Sequence, residues 1–176
     1  VYDEMDLFYR LNQFWQNVTA QPLSQSELKE ISNDLNPQEL SLFRQMSISD
    51  QRHAYRVYRL LRASGQTDAD LLVAALLHDV GKVHTNLSVW DRTMAVLGET
   101  FLPQQAKEWG EGEKSGWKRT FVVREKHAAW GAALAEDAGS RDGVVDLIMR
   151  HQDPIPVNGG GNEERLALLQ WADDQN

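Results

Sequence analysis

The chain has no cysteine, no long apolar run and fewer basic than acidic residues, and each shortage excludes a class of protein. The absence of cysteine among the 176 residues rules out disulfides, thiolate metal ligands and a cysteine nucleophile, which leaves nitrogen and oxygen as ligand atoms. No apolar stretch approaches the roughly 20 residues that a transmembrane helix needs. With 18 basic against 26 acidic residues, nonspecific binding to nucleic acid or to an anionic membrane is disfavoured.

Length and composition fit one folded domain over residues 1–176. A hydrophobic content of 41% with 25% charged residues is typical of soluble globular proteins. The N-terminus lacks a basic segment followed by an apolar one, so we expect a cytoplasmic protein. The chain opens with Val1 rather than Met, which is consistent with a fragment of a longer protein.

Helix signals dominate and no convincing strand appears, so we expect an all-α fold. Ser24 and Glu27 form a capping-box pattern, and Asn36 precedes a second helix start with Pro37 at its first position. Apolar periodicity and caps predict five further helices, from Ser49 to Gly65, Thr67 to Gly81, His127 to Gly139, Val144 to His151 and Glu163 to Asp173. Trp171 falls within the last pattern, which favours a core position.

The dipeptide His78-Asp79 is the most informative feature of the sequence. It follows the apolar run Leu71–Leu77, where a charged group is expected to be buried. Burying an unpaired carboxylate is costly, so such a group is normally paired or bound to a cation. A metal ion is the simplest partner.

Four more side chains of the same chemistry lie in short apolar patterns on separate predicted helices: His53, His127, His151 and Asp173. Taken singly, each histidine is more often a core residue with satisfied hydrogen bonds than a ligand. Taken together, four imidazoles and two carboxylates in one small core would need cations to complete their bonding. The pattern therefore predicts a metal centre.

The order of these residues, H…HD…H…H…D, and the string Leu77-His78-Asp79-Val80-Gly81-Lys82 resemble the HD-domain superfamily of metal-dependent phosphohydrolases. The similarity covers roughly Ser49 to Asp173. It implies an all-helical HD-domain bundle in a single domain. Residues 1–48 would then form an N-terminal helical extension, and residues 49–176 the core, with an insertion at about 86–123.

The resemblance also implies ligand roles. In the family, the first His, the HD pair and the last Asp hold one metal, and the matching positions are His53, His78, Asp79 and Asp173. In members with two metals the Asp of the HD pair bridges, and the matching positions for the second ion are His127 and His151. We therefore expect two divalent ions, with Fe, Mn, Zn, Co and Ni all compatible with nitrogen and carboxylate ligands.

The activity that the resemblance implies is hydrolysis of a phosphomonoester or phosphodiester by a metal-bound hydroxide, with a nucleotide as one candidate substrate. Asp79 and Lys82 are the predicted catalytic residues. Lys82 is expected to hold the anionic group of the substrate; the alternative is a lysine that complements a helix dipole. Gly81 is expected to serve a turn. The expected partner is a small phosphoester, with no bulk nucleic acid and no membrane.

Two other functions stay open at this point. Some HD proteins that resemble this chain carry a mixed-valent di-iron centre and oxidise their substrate with O₂, so a di-iron oxygenase is one alternative. A noncatalytic sensor module that binds a metal or a nucleotide is the other. The Gly-Tyr-Pro signature and the Glu-Asp pair after HD are absent from this sequence, which argues against the cyclic-dinucleotide and alarmone hydrolases of the family.

Overall fold

The computed structural model of the chain describes residues 20–84, 119–156 and 160–176. Over these ranges it has seven α-helices, one 3₁₀ helix and no strand, which confirms the all-α prediction. In chain order the elements are α1 (Gln25–Ile31), α2 (Pro37–Phe43), α3 (Ile48–Ala63), α4 (Ala69–Leu77), the 3₁₀ helix (Val80–His84), α5 (Arg119–Asp137), α6 (Asp142–Arg150) and α7 (Gly161–Asp174).

Both predicted capping boxes are present. The amide of Ser24 donates to the Glu27 carboxylate at 2.7 Å, while the Ser24 hydroxyl accepts from the Glu27 amide at 3.3 Å. Asn36 and Glu39 repeat this arrangement at the start of α2, with Pro37 as its first residue. Each box satisfies backbone N–H groups that a helix start otherwise leaves unpaired.

Two helix starts differ from the prediction. The N-cap of α3 is Ser47 rather than Ser49, because the Ser47 hydroxyl accepts from the Asp50 amide at 3.1 Å. The N-cap of α4 is Asp68 rather than Thr67, and its carboxylate accepts from two amides of the first turn. A carboxylate at this position also complements the helix dipole.

Helix α4 is the centre of the bundle. Every side chain from Leu71 to Leu77 is buried, because α2, α3, α6 and α7 all pack against this helix. A helix that is apolar on all sides requires such surroundings. The two residues that follow it, His78 and Asp79, are therefore buried as well.

Gly81 allows the 3₁₀ helix to lie directly on the backbone of α5. A Cβ at this position would overlap the His127 carbonyl group and would lie 2.7 Å from the Gly131 amide nitrogen. Helix α4 ends at Leu77 rather than at Gly81, and Gly81 lies without a positive φ in the 3₁₀ helix that follows. The glycine is needed for close approach.

Helix α5 begins at Arg119, inside the predicted insertion of residues 86–123, and the rest of that insertion lies outside the described residues. So does the first part of the predicted N-terminal extension, residues 1–19. Trp171 is 41% exposed, which corrects the expected core position, since it stands two residues, about 200° of helix, beyond the buried Leu169.

None of the described helices is long and apolar enough to cross a membrane.

Candidate metal centre

The structure brings all six predicted metal ligands together where α4 ends. Helices α3, α5 and α7 each contribute one side chain, and the remaining three follow directly after α4 and α6. They form two clusters, one of His53, His78 and Asp173 and one of Asp79, His127 and His151. Within each cluster the candidate ligand atoms all lie within 4.8 Å of one another.

The first cluster lies at the edge of the bundle. Asp173 Oδ1 is 2.8 Å from His53 Nε2 and 3.5 Å from His78 Nε2. The His53 and Asp173 side chains keep 19% and 34% of their surface exposed, whereas that of His78 keeps 1%. This cluster is therefore the side from which solvent or a small molecule can approach.

The second cluster is fully buried. His127 Nε2 lies 3.4 Å from Asp79 Oδ1 and 3.2 Å from His151 Nε2. Asp79, His127 and His151 are all buried. Water has little access to this side of the centre.

Asp79 lies between the two clusters. Its Oδ2 atom faces the first, at 3.6 Å from His78 Nε2 and 3.9 Å from His53 Nε2. Its Oδ1 atom faces the second, at 3.4 Å from His127 Nε2. One carboxylate thus offers one oxygen to each cluster, which is the arrangement that a bridging ligand needs.

The three buried imidazoles are oriented by their own helices. Each Nδ1 lies against a carbonyl oxygen three or four residues earlier: His78 against Ala75 at 3.0 Å, His127 against Val123 at 3.1 Å and His151 against Ile148 at 2.7 Å. A carbonyl can only accept, so each Nδ1 carries the hydrogen. Each neutral ring therefore presents an Nε2 lone pair to the centre, as in most protein metal sites.

Within the part of the chain that the structure describes, the Nε2 atoms that face the centre lie close together, and one of them is left unpaired. His78 Nε2 is buried without a hydrogen-bond partner. His127 and His151 meet at 3.2 Å through Nε2 atoms, which repel each other in neutral rings unless a proton or a cation lies between them. A divalent ion would satisfy both, and nitrogen with carboxylate oxygen suits such an ion. The residues present therefore fit a metal.

The charges of the centre are strongly coupled. Burial by itself lowers the pKa of His78, but the carboxylates of Asp79 and Asp173 outweigh it and raise this pKa to about 9. Burial and the neighbouring His78 lower the pKa of His151 to about 4. Burial raises the pKa of Asp79, but Lys82 and His78 hold it well below its usual value. A cationic His78 thus compensates the carboxylates, and a metal would displace its proton.

Lys82 lies on the open side of the centre. Its Nζ is 2.6 Å from Asp79 Oδ2, and 31% of its side-chain surface is exposed. Burial lowers the pKa of Lys82, but Asp79 and then Asp50 raise it above the usual value. The ammonium therefore stays charged beside the predicted bridging carboxylate.

Sequence analysis missed two residues that flank His53 on α3. Asp50, three residues earlier, is buried and accepts a hydrogen bond from the Ser47 hydroxyl at 2.6 Å. Its negative charge also helps to raise the pKa of Lys82. Arg56, three residues later, has a buried Nε without a hydrogen-bond partner among the described residues. Their spacing could have identified them in the sequence, because residues three positions before and after His53 are its neighbours on the surface of the helix.

The comparisons with known proteins agree with this arrangement. The HD-domain family model matches residues 51–174, which is more than half of the 176-residue chain and includes all six converging side chains. Neither a curated protein nor a solved structure matches the chain. The resemblance predicted from the sequence is confirmed: the chain belongs to the HD-domain family, whose superfamily consists of metal-dependent, hydrolase-like proteins.

Proposed function

We propose that the protein is a metal-dependent phosphohydrolase that cleaves a phosphomonoester or phosphodiester, with nucleotides as the first candidate substrates. The observation that carries the proposal is the position of Asp79, which turns one oxygen toward each cluster. This layout suits two divalent ions that share a carboxylate. Such ions would supply a Lewis acid for a phosphoryl oxygen and lower the pKa of a water molecule toward neutrality.

The buried histidines would act as rigid ligands. Because backbone carbonyls fix His78, His127 and His151 through Nδ1, their Nε2 atoms need no rearrangement to bind an ion. Preorganised polar groups in a site that excludes water act more strongly than mobile groups in solvent. Burial on this side therefore restricts the reaction to the open side of the centre.

Lys82 would bind the substrate anion. The Lys82 ammonium has three N–H donors, so it can contact Asp79 and also donate to a nonbridging phosphate oxygen of the substrate. Asp50 supports this role because it helps to keep Lys82 protonated. We assign Lys82 to substrate binding and charge stabilisation, and Asp79 to the bridging position.

The proposed partner is a small phosphoester rather than a nucleic acid polymer. The net charge of −8 disfavours a long phosphate backbone, which binds mainly through many cationic contacts. A small substrate needs only a few local cations, and Lys82 is one that lies at the open side of the centre. We propose that the protein is located in the cytoplasm.

The test is phosphate release from a panel of nucleotides by protein loaded in turn with Fe, Mn, Zn, Co and Ni. Chelation should abolish release and added metal should restore it. Asp79→Asn should be inactive, and Lys82→Gln should keep its metal but lose about 100-fold or more in rate. Lys29→Gln is the matched control, since Lys29 is exposed on α1.

Three outcomes would contradict the proposal. Hydrolysis that survives both chelation and Asp79→Asn would remove the metal centre from the reaction. Oxygen uptake by the iron-loaded protein without phosphate release would favour the di-iron oxygenase instead. Nucleotide binding without any product would favour the noncatalytic sensor.

A further inference from the structure

Asp50 is a buried carboxylate beside the metal centre that is not one of the six predicted ligands. It lies in the first turn of α3, three residues before His53, and is 7% exposed. The Ser47 hydroxyl donates a hydrogen bond to it at 2.6 Å. A neutral side chain with an oxygen acceptor could accept that bond equally well. Since burying a charge is costly, the bond to Ser47 does not explain why this position carries one.

Two distances place Lys82 beside the same part of α3. Lys82 Nζ lies 2.6 Å from Asp79 Oδ2, and this oxygen lies 3.9 Å from His53 Nε2. Residues three positions apart are neighbours on the surface of a helix, so Asp50 is on the side of α3 that carries His53. Burial opposes the charge of Lys82, whereas Asp79 and then Asp50 raise its pKa. The ammonium is therefore attracted by two carboxylates, one from each of two elements.

The two carboxylates would differ once the centre holds metal. Two divalent ions carry four positive charges, whereas the six predicted ligands supply two negative charges, from Asp79 and Asp173, because the imidazoles bind as neutral rings. The ions would also share the charge of Asp79 with Lys82. The loaded centre would thus repel an ammonium, and the Asp50 carboxylate would oppose that repulsion.

We propose that Asp50 is a positioning residue, which holds the Lys82 ammonium at the open side of the centre when metal ions engage Asp79. Lys82 needs such an anchor because its side chain is long, flexible and 31% exposed, so that it can otherwise turn toward solvent. Asp50 suits the task because Ser47 fixes its carboxylate. The inference rests on the proposed function, which assigns Lys82 to the anion of the substrate.

The test is a double-mutant cycle in which binding is measured without turnover. Methylphosphonate, which has no ester bond, is titrated into the Mn²⁺-loaded protein by calorimetry, and elemental analysis confirms equal metal content. Asp50→Asn should weaken methylphosphonate binding by about 10-fold, and Lys82→Gln by about 10- to 100-fold. The double variant should bind no more weakly than Lys82→Gln, because Asp50 acts through Lys82.

The direction of the effect separates positioning from a general effect of charge. Loss of a carboxylate from an acidic protein should by itself strengthen the binding of an anion, whereas positioning predicts that Asp50→Asn weakens it. Asp137→Asn is the matched control, since it removes the same charge from an exposed position at the end of α5, and it should leave the affinity unchanged. Asp50→Glu keeps the charge and should bind methylphosphonate more tightly than Asp50→Asn.

A crystal structure of the Mn²⁺-loaded wild type tests the same contact without any variant, and it decides the matter if Asp50→Asn does not fold. Lys82 Nζ should lie within about 4 Å of an Asp50 carboxylate oxygen, the range of an ion pair. An ammonium that points into solvent would overturn the inference.

The calorimetry overturns the inference if Asp50→Asn leaves methylphosphonate affinity unchanged or raises it, if the losses of the two single variants add in the double variant, or if the wild type does not bind methylphosphonate. The two proposals fail separately. An affinity that depends on Asp50 through Lys82, without hydrolysis of any phosphoester, would leave the positioning role standing and remove the hydrolase. Phosphate release by a protein whose phosphonate affinity ignores Asp50 would do the reverse.

Discussion

Replacing Gly81 with alanine should move His127 away from the rest of the metal centre. The added Cβ would overlap the His127 carbonyl group and lie 2.7 Å from the Gly131 amide nitrogen, whereas such contacts are normally no shorter than about 3.5 Å. Both obstacles belong to the backbone of α5. Rotation of a side chain therefore cannot relieve them, and α5 must move away by more than about 1 Å.

Movement of α5 would carry His127 with it. The 3.4 Å separation between His127 Nε2 and Asp79 Oδ1 would increase, while metal–ligand distances tolerate only about 0.2 Å. Overpacking of a core costs typically 1–3 kcal/mol. We expect Gly81→Ala to lie near the upper end of that range and to lose metal from the buried cluster.

Urea unfolding of the metal-free protein measures the first effect, and elemental analysis after metal loading measures the second. Gly161→Ala is the matched control, because its Cβ would meet open space and Ala is the better helix former. That variant should be as stable as the wild type or slightly more so. A Gly81→Ala protein with wild-type stability and full metal content would refute the packing argument.

Two further predictions concern the histidines. The metal-free protein should be most stable near pH 6.5. The pKa of His78 is raised from the ordinary histidine value of 6.5 to about 9, so its protonation stabilises the fold below pH 6.5, and this stability is lost as the pH rises toward 9. The lowered pKa of His151, about 4, contributes stability above pH 6.5 that is lost toward pH 4. Each of the two pKa shifts should change the free energy of unfolding by roughly 3 kcal/mol. Denaturant unfolding in the presence of a chelator, repeated from pH 4 to pH 9, measures this change. A free energy of unfolding that does not vary with pH would contradict the prediction. His151→Ala should lower the metal content without emptying the cluster of His53, and full retention of metal on elemental analysis would show that His151 is not a ligand.

Much of the fold could be predicted because its signals are local. The capping boxes at Ser24 and Asn36 involve residues that are three positions apart, and the apolar run Leu71–Leu77 predicts a helix that is buried on all sides. The choice between Ser47 and Ser49 as N-cap could not be made in this way, since both can cap a helix. The structure decides it through Asp50, whose amide and carboxylate both bond to Ser47.

The candidate ligands could also be predicted, because their order in the sequence is characteristic and charged groups in apolar patterns are unusual. Sequence could not reveal the role of Gly81 or the surroundings of Arg56. The close approach of Gly81 to α5 is a contact between distant parts of the chain, which no local pattern encodes. The burial of Arg56 Nε without a hydrogen-bond partner among the described residues likewise depends on packing between distant parts of the chain.

The central claim is that six side chains converge to bind cations, and an anomalous diffraction map of crystals soaked in Mn²⁺ tests it most directly. The account predicts two peaks about 3.5–4 Å apart, one beside His53, His78 and Asp173 and one beside His127 and His151, with Asp79 between them. A map without peaks at this place, from crystals in which the imidazoles point away from one another, would contradict it.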